Sequence, residues 1–256
     1  MRIISWNTNG LRATAKQGFF LPLFKEADIL CLQETKAEPE QLTEETRNVP
    51  GYFSYFSHSK VKKGYSGVAI YSKEKPREVL YGMGIKKFDD EGRMVGAKYQ
   101  DFTLLNIYFP NGGQGPERLK YKLEFYDAFL KFILKLRKRG EHVIFCGDVN
   151  TAHEAIDLAR PKENVENTGF LPIERAWLDK IVKNNFIDVW RNLYPDKKDT
   201  YTYWDQKTRA RDRNVGWRID YFFVDSKILT KIKDTGMLTD YYGSDHCPIW
   251  LELKMN

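Results

Sequence analysis

Apolar residues gather in short runs at 2–6, 28–32, 66–71, 103–109, 143–146, 219–224 and 247–252, many of them rich in Ile, Val, Phe and Tyr. Runs of that length and composition predict strands. Elsewhere the period changes. Leu119, Leu123, Tyr126, Leu130 and Ile133 recur at spacings of four and three, with basic residues on the other faces and Gly140 beyond, which predicts a long helix over 117–139. Pro172 opens a second predicted helix over 172–184, carrying Ile173, Trp177 and Ile181. The consecutive stretches 66–71 and 95–109 predict an antiparallel pair, while helices between other strands predict covering layers. A mixed-sheet sandwich accounts for this pattern better than a doubly wound sheet. No Ser/Gly-rich or Pro-rich linker interrupts it, so a single domain over 1–256 is expected.

Composition narrows the class. Hydrophobic residues make up 42% and charged residues 30% of the chain, too apolar for disorder and too charged for a membrane protein. No stretch approaches the roughly 20 apolar residues of a spanning helix. Met1 leads directly into Ile3-Ile4-Ser5-Trp6-Asn7 without a signal-like segment. A cytoplasmic protein is therefore expected, nucleoid-associated if the source is prokaryotic. Cys31, Cys146 and Cys247 are odd in number, far apart and set in or beside apolar runs, which reads as reduced core thiols. Lys and Arg outnumber Asp and Glu by 41 to 35, a net charge of +6 that suits a polyanionic partner.

Chemistry concentrates where strands end. Asn7, Glu34, Asp148, Asn150, Asp220, Asp245 and His246 all lie at or near such ends. Side chains two apart on an extended chain share a face, so Asn7 with Asn9, and Asp148 with Asn150, can project paired oxygens into one cleft. The two segments also echo each other, as two similar halves meeting at one edge would. A hard, oxygen-rich site with few carboxylates suits Mg²⁺ or Mn²⁺. Glu34 is the first-choice ligand and Asn7 and Asp245 come next. Hydrolysis of a phosphodiester needs charge neutralisation, an aligned nucleophile and a proton for the leaving oxygen, and this residue set carries those parts.

Taken singly, each residue has a plainer reading. Asp148 is also a helix-cap type, Asn7 and Asn9 are also turn residues before Gly10, and His246 is also a buried histidine satisfied by an aspartate. Asp220 needs a partner if buried and ionised, and pairing with His246 would supply one. His58, His142 and His153 read as surface or packing residues. Tyr201, Tyr203, Trp204 and Trp217 interleave with Lys207, Arg209, Arg211 and Arg213, a weak signature of nucleic-acid contact.

Together, Ser5-Trp6-Asn7-Thr8-Asn9-Gly10-Leu11-Arg12, Leu32-Gln33-Glu34-Thr35-Lys36, Gly64-Tyr65-Ser66-Gly67-Val68, Cys146-Gly147-Asp148-Val149-Asn150, Gly216-Trp217-Arg218-Ile219-Asp220-Tyr221 and Gly243-Ser244-Asp245-His246-Cys247-Pro248 resemble the exonuclease III family of apurinic/apyrimidinic endonucleases, in family order. The resemblance implies an α/β four-layer αβ/βα sandwich of two mixed sheets flanked by helices, the DNase I-like fold. It implies incision 5′ to abasic sites in double-stranded DNA, with 3′-phosphodiesterase and 3′→5′ exonuclease activity on blocked 3′ ends, by a monomer. Glu34 then resembles the principal metal ligand, with Asn7 and Asp245 beside it. Asp148, Asn150 and His246 complete the candidate ligand set, with Asn9, which stands where some family members have aspartate and others asparagine. Asp148 resembles the acid/base residue, Asn150 the orienting amide, His246 paired with Asp220 the phosphate contact, and Tyr108 the tyrosine near the phosphate. Asn111, Asn164 and Asn167 match substrate contacts, Tyr203 and Trp217 match the walls around a flipped-out abasic sugar, and Arg209 is a further DNA-binding candidate. The loop Gly112-Gly113-Gln114-Gly115 carries no basic side chain where several relatives have one, which implies weaker product retention. The rival readings are a non-specific nuclease or phosphoesterase of the same fold and a non-catalytic DNA-binding relative.

Overall fold

Twelve strands form two six-stranded sheets in the computed structural model, which describes residues 1–254. In chain order they are β1 (Arg2–Asn7), β2 (Ile29–Gln33), β3 (Phe53–Ser57), β4 (Val68–Ser72), β5 (Glu78–Tyr81), β6 (Met94–Lys98), β7 (Thr103–Ile107), β8 (Val143–Asp148), β9 (Phe186–Asp188), β10 (Asp220–Asp225), β11 (Ile232–Met237) and β12 (Ile249–Leu253). The first sheet runs β11-β12-β1-β2-β4-β3 and the second β5-β6-β7-β8-β10-β9. Each has one parallel pair at its centre, β1 with β2 and β7 with β8, and antiparallel neighbours on either side.

The central strands are buried almost end to end because both of their faces are covered. Between the sheets lie Cys31, Val68, Ile70, Leu104, Cys146, Phe222 and Val224. The outer face of the second sheet packs under the helices Pro116–Lys138 and Pro172–Lys183 through Phe125, Phe129, Ile133, Trp177 and Ile181. The outer face of the first packs Ile4, Trp6, Leu30 and Tyr71 against Leu11, Phe20 and Leu23. The result is the four-layer sandwich. All three cysteines are free and buried.

Three expectations need correcting. Residues 66–71 and 95–109 do not pair, because β4 lies between β2 and β3 whereas β6 and β7 belong to the other sheet; the runs face each other across the core. The stretch 95–109 also folds back on itself, with Tyr99 N donating to Phe102 O at the turn. The buried face of the long helix is Lys122, Phe125, Tyr126, Phe129, Ile133 and Leu136, while Leu119, Leu123 and Leu130 are only half-buried. Aromatic rings reach further into the gap above the sheet: Tyr126 stacks on Trp177 at 4.2 Å, and Phe109 sits edge-on to Phe129 at 5.1 Å. Strands β3, β5, β9 and β11 escaped the hydrophobic pattern because they are edges or short, with partly exposed positions that dilute it.

Candidate active site

The central parallel pairs decide where the functional residues meet. β1, β2, β7 and β8 all finish at one edge of the sandwich, and their antiparallel neighbours β10 and β12 begin there. That edge therefore collects Asn7, Glu34, Tyr108 and Asp148 from strand ends and Asp220 and His246 from strand beginnings. Asp220 is the register partner of Asp148.

Two close approaches need glycine. A Cβ on Gly147 would lie 1.9 Å from the Ile107 carbonyl oxygen, and its φ is +134°. At Gly67, φ +89°, a Cβ would lie 2.3 Å from Thr35 Oγ1. The carbonyls of Gly67 and Ser66 accept from Thr35 N and Lys36 N at 3.0 and 2.8 Å, which braces the loop where Glu34 sits at φ +48°.

The side chains form one network. Asn7 Nδ2 donates to Glu34 Oε1 and to Asp148 Oδ2, each at 2.9 Å, so the ends of the two sheets are joined by an amide. Asn150 Nδ2 donates to the same Asp148 oxygen at 3.2 Å and to Phe109 O at 3.0 Å. Asn111 Nδ2 donates to Asn150 Oδ1 at 3.0 Å. His246 Nδ1 lies 2.8 Å from Asp220 Oδ2 and its Nε2 lies 3.9 Å from Asp148 Oδ2. The echo between the halves has a local cause: Asn7 Oδ1 accepts from Asn9 N at 2.9 Å, and Asp148 Oδ1 from Asn150 N at 2.8 Å. Asn9 and Asn150 are both left-handed, at φ +48° and +56°. A turn held by the first side chain, and not strand alternation, brings each pair together, and Asp148 caps no helix.

Electrostatics follow from this crowding. Burial raises the Asp148 carboxyl to about 7; the Asp220 and Glu34 charges push the same way, against the pull of His246. Burial alone would lower His246, but the charge and hydrogen bond of Asp220, helped by Asp148 and Asp245, overcome it and raise the imidazole to about 10. Glu34 is also desolvated, yet the Lys36 ammonium and the Asn7 amide hold it below its ordinary value. Burial and the Glu34 charge raise the Tyr108 hydroxyl.

Glu34, Tyr108, Asn111, Asp148, Asn150, Asp245 and His246 line a cleft of about 310 Å³ closed on its far side by Thr168, Gly169, Tyr203, Trp217 and Ile219. Tyr203 forms β-bridges to both Trp217 and His246, which ties the wall to the network. Asn7 lies fully buried beneath the cleft, and Asp220 behind His246. Asn9 sits at the rim, donating to Asp245 Oδ2 at 3.1 Å. The structure does not bring the other DNA-binding candidates to the cleft. Asn164 and Asn167 bond to each other on a turn beyond Thr168, and Arg209 is exposed and paired with Asp212. Lys36, Thr202 and Ser244 went unnoticed as site residues. Lys36 follows Glu34 and Ser244 precedes Asp245 within the family-like motifs, which was the available signal; Thr202, which donates to Asp220 Oδ2 at 2.6 Å, and Ser244, which donates to Asn7 O at 2.8 Å, act through contacts distant in sequence.

The donors suit a hard cation. Glu34, Asp148 and Asp245 offer carboxylate oxygens in one cleft, and the Asp148 carboxyl, raised first by burial and then by the Asp220 and Glu34 charges, would be favoured in its ionised form by a cation. Lys36 Nζ already sits 2.8 Å from Glu34 Oε2 and also contacts Asn9 Oδ1, so positive charge is accepted at this spot. A separate group, His153, Glu154 and Asp179, also brings ligand atoms within 4.8 Å of one another among the described residues, but its carboxylates are exposed and it lies outside the cleft.

Comparison with known proteins agrees with this geometry. The model of the Endonuclease/Exonuclease/phosphatase family matches residues 4–246. The exodeoxyribonuclease of Bacillus subtilis is 42% identical over the whole of both chains. The DNA repair nuclease APEX1 of Danio rerio is also 42% identical, over all of this chain and 83% of its own. An AP endonuclease structure from Archaeoglobus fulgidus superimposes with a TM-score of 0.88 at 30% identity, covering both chains completely. With cleft, sheet order and sequence in accord, the chain belongs to the Endonuclease/Exonuclease/phosphatase family.

Proposed function

We propose that this chain is a DNA-repair nuclease that hydrolyses the phosphodiester 5′ to abasic sites in double-stranded DNA and also trims blocked 3′ ends. It acts as a single catalytic domain over 1–256, as a monomer in the cytoplasm, a compartment with which its free buried thiols are compatible. The observation that carries the reading is Asp148: a carboxylate 1% exposed, held on one oxygen by the amides of Asn7 and Asn150, and 3.9 Å from an imidazole.

Glu34, with Asn7, Asp245 and Asn9 at hand, would hold Mg²⁺ or Mn²⁺, whose charge neutralises the phosphate and the departing oxygen when bound. Asp148 and Asn150 could share in holding it, whereas His246, expected among the ligands, has no lone pair to offer a cation while its imidazole is protonated. Asp148 takes the proton of the attacking water, because its carboxyl titrates near neutrality. His246 is an imidazolium held by Asp220, so it donates to a phosphate oxygen and is a poor base. Asn150, fixed by Phe109 O and Asn111, orients the water, and Tyr108 lies beside the phosphate position. Tyr203 and Trp217 wall the space for an extruded sugar, Asn111 contacts the DNA at the cleft, and Asn164, Asn167 and Arg209, which lie outside it, contact the flanking duplex.

The test is incision of a duplex carrying one abasic-site analogue, with Mg²⁺, with Mn²⁺ and with EDTA, comparing wild type with Asp148→Asn. The expected result is metal-dependent cutting 5′ to the lesion that falls about 10²- to 10⁴-fold in the variant. Equal cutting of intact duplex would replace this reading with a general nuclease, and DNA binding without cutting would replace it with a non-catalytic protein.

A further inference from the structure

Lys122 lies in the middle of the helix Pro116–Lys138 with its side chain wholly buried, and all three of its ammonium protons are spoken for. Nζ donates to the Asn150 carbonyl oxygen at 2.8 Å, to Thr151 Oγ1 at 2.9 Å and to Glu174 Oε1 at 2.6 Å. Glu174, in the first turn of the helix Pro172–Lys183, is equally buried. It accepts from Thr168 Oγ1 at 2.7 Å and from the backbone N–H groups of Gly169 and Leu171 at 2.6 and 3.1 Å. One turn along from Lys122, Tyr126 donates to Val149 O at 2.9 Å. The helix thus grips three consecutive residues after β8, and the ion pair extends that grip to the Thr168–Gly169 wall of the cleft.

A buried ion pair is a poor way to gain stability, since desolvation offsets most of its attraction and two apolar side chains would fill the space as well. What an apolar residue could not supply is a set of directed donors. The Asn150 backbone has positive φ, and its side-chain amide must meet Asp148 and Phe109 at the same time. Holding its carbonyl from beneath fixes that geometry. We infer that Lys122 is a positioning residue for Asn150, and that Glu174 keeps it charged while coupling it to the substrate-facing wall. The inference rests on the reading of Asn150 as the amide that orients the attacking water.

The double variant Lys122→Met/Glu174→Gln removes both charges together, so neither is stranded. It is expected to melt near the wild-type temperature and to bind an uncut abasic duplex in EDTA as the wild type does, with kcat lowered about 10- to 100-fold and KM unchanged. Glu174→Gln alone keeps the Lys122 donor on Asn150 but weakens the partner of a buried charge, so its Tm falls further while its kcat falls less. A folded double variant with wild-type kcat, or rates that simply follow Tm across the two variants, would overturn the inference. If the double variant does not fold, Lys122→Arg keeps the charge opposite Glu174 but moves the donors: lowered kcat at unchanged Tm supports the inference, and wild-type kcat sinks it. If the wild type itself incises nothing, the reading of the site has failed separately. The side-chain amide ¹⁵N shifts of Asn150 and Asn111 then decide, since displaced signals in the Lys122 variant support positioning and coincident spectra overturn it.

Discussion

As the proposed base, Asp148 must lose its proton before it can accept one from water, so its raised carboxyl would make the reaction pH-sensitive. Incision at saturating DNA, which needs the cation, is expected to rise with pH over a range below about 7, where Asp148 deprotonates beside the cation, and to fall as His246 loses its proton near 10. A divalent cation beside Glu34 moves the rising limb to lower pH, so Asp148 and the cation are linked. A single-turnover pH profile checks this: Asp148→Asn should lack the rising limb, and its survival in the variant would assign it to another group. The short network of amides and carboxylates explains why single substitutions here act on several partners at once, since Asp148 Oδ2 alone meets Asn7, Asn150 and, at longer range, His246.

At the scale of elements, β10 is set by a buried charge cluster just before Asp220. Arg218 donates to Asp157 at 2.8 and 3.1 Å and to Asp188 at 3.2 and 2.7 Å, while Arg191 donates to Asp157 at 2.9 and 2.6 Å. Burial alone would raise Asp157, but the Arg218 charge and hydrogen bonds, with those of Arg191, pull it from 3.8 to about 2. A depressed carboxylate stabilises the fold above its ordinary value, and that contribution is lost as pH falls from about 4 toward 2; here it is about 2 kcal/mol. Urea unfolding should therefore show Asp157→Asn destabilised at pH 7 by about 3–5 kcal/mol, since the buried Arg218 and the half-buried Arg191 lose their shared partner, with part of the gap closing on acidification. An equal gap at pH 7 and pH 2 would refute the linkage. The loop 112–115, exposed from Gly113 onward, makes a kinetic prediction instead. Gln114→Arg adds a cation facing DNA, so nicked product should dissociate more slowly in a stopped-flow chase, and an unchanged rate would show that this loop does not touch product.

For the whole molecule, the net charge of +6 makes affinity for DNA strongly dependent on ionic strength. Binding of an abasic duplex in EDTA is expected to weaken with log salt at a slope of about 0.9 per phosphate neutralised, whereas discrimination between abasic and intact duplex, which comes from the walled cleft, should change little. Fluorescence anisotropy across a salt series measures both quantities. A flat salt response would mean that the basic residues do not face DNA. The sandwich provides a rigid edge for the cleft to which the proposed discrimination is assigned, because each sheet sends the two strands of its parallel pair to the same end.

Local patterns along the chain sufficed to reveal much of this arrangement. The two main helices, most central strands and the clustering of Asn7, Glu34, Asp148, Asp220 and His246 at strand ends were legible, because hydrophobic period and polar termination are local properties. The short edges β3, β5, β9 and β11 were not, since their half-exposed positions carry little periodicity. Sheet membership was not legible either: 66–71 and 95–109 read as an antiparallel pair, whereas they belong to different sheets and face each other across the core. Lys122 shows the limit best. By itself the chain could only place a lysine among the polar positions of an amphipathic helix, because a buried ammonium depends on a carboxylate 52 residues away, and only the packed helices bring Glu174 to it.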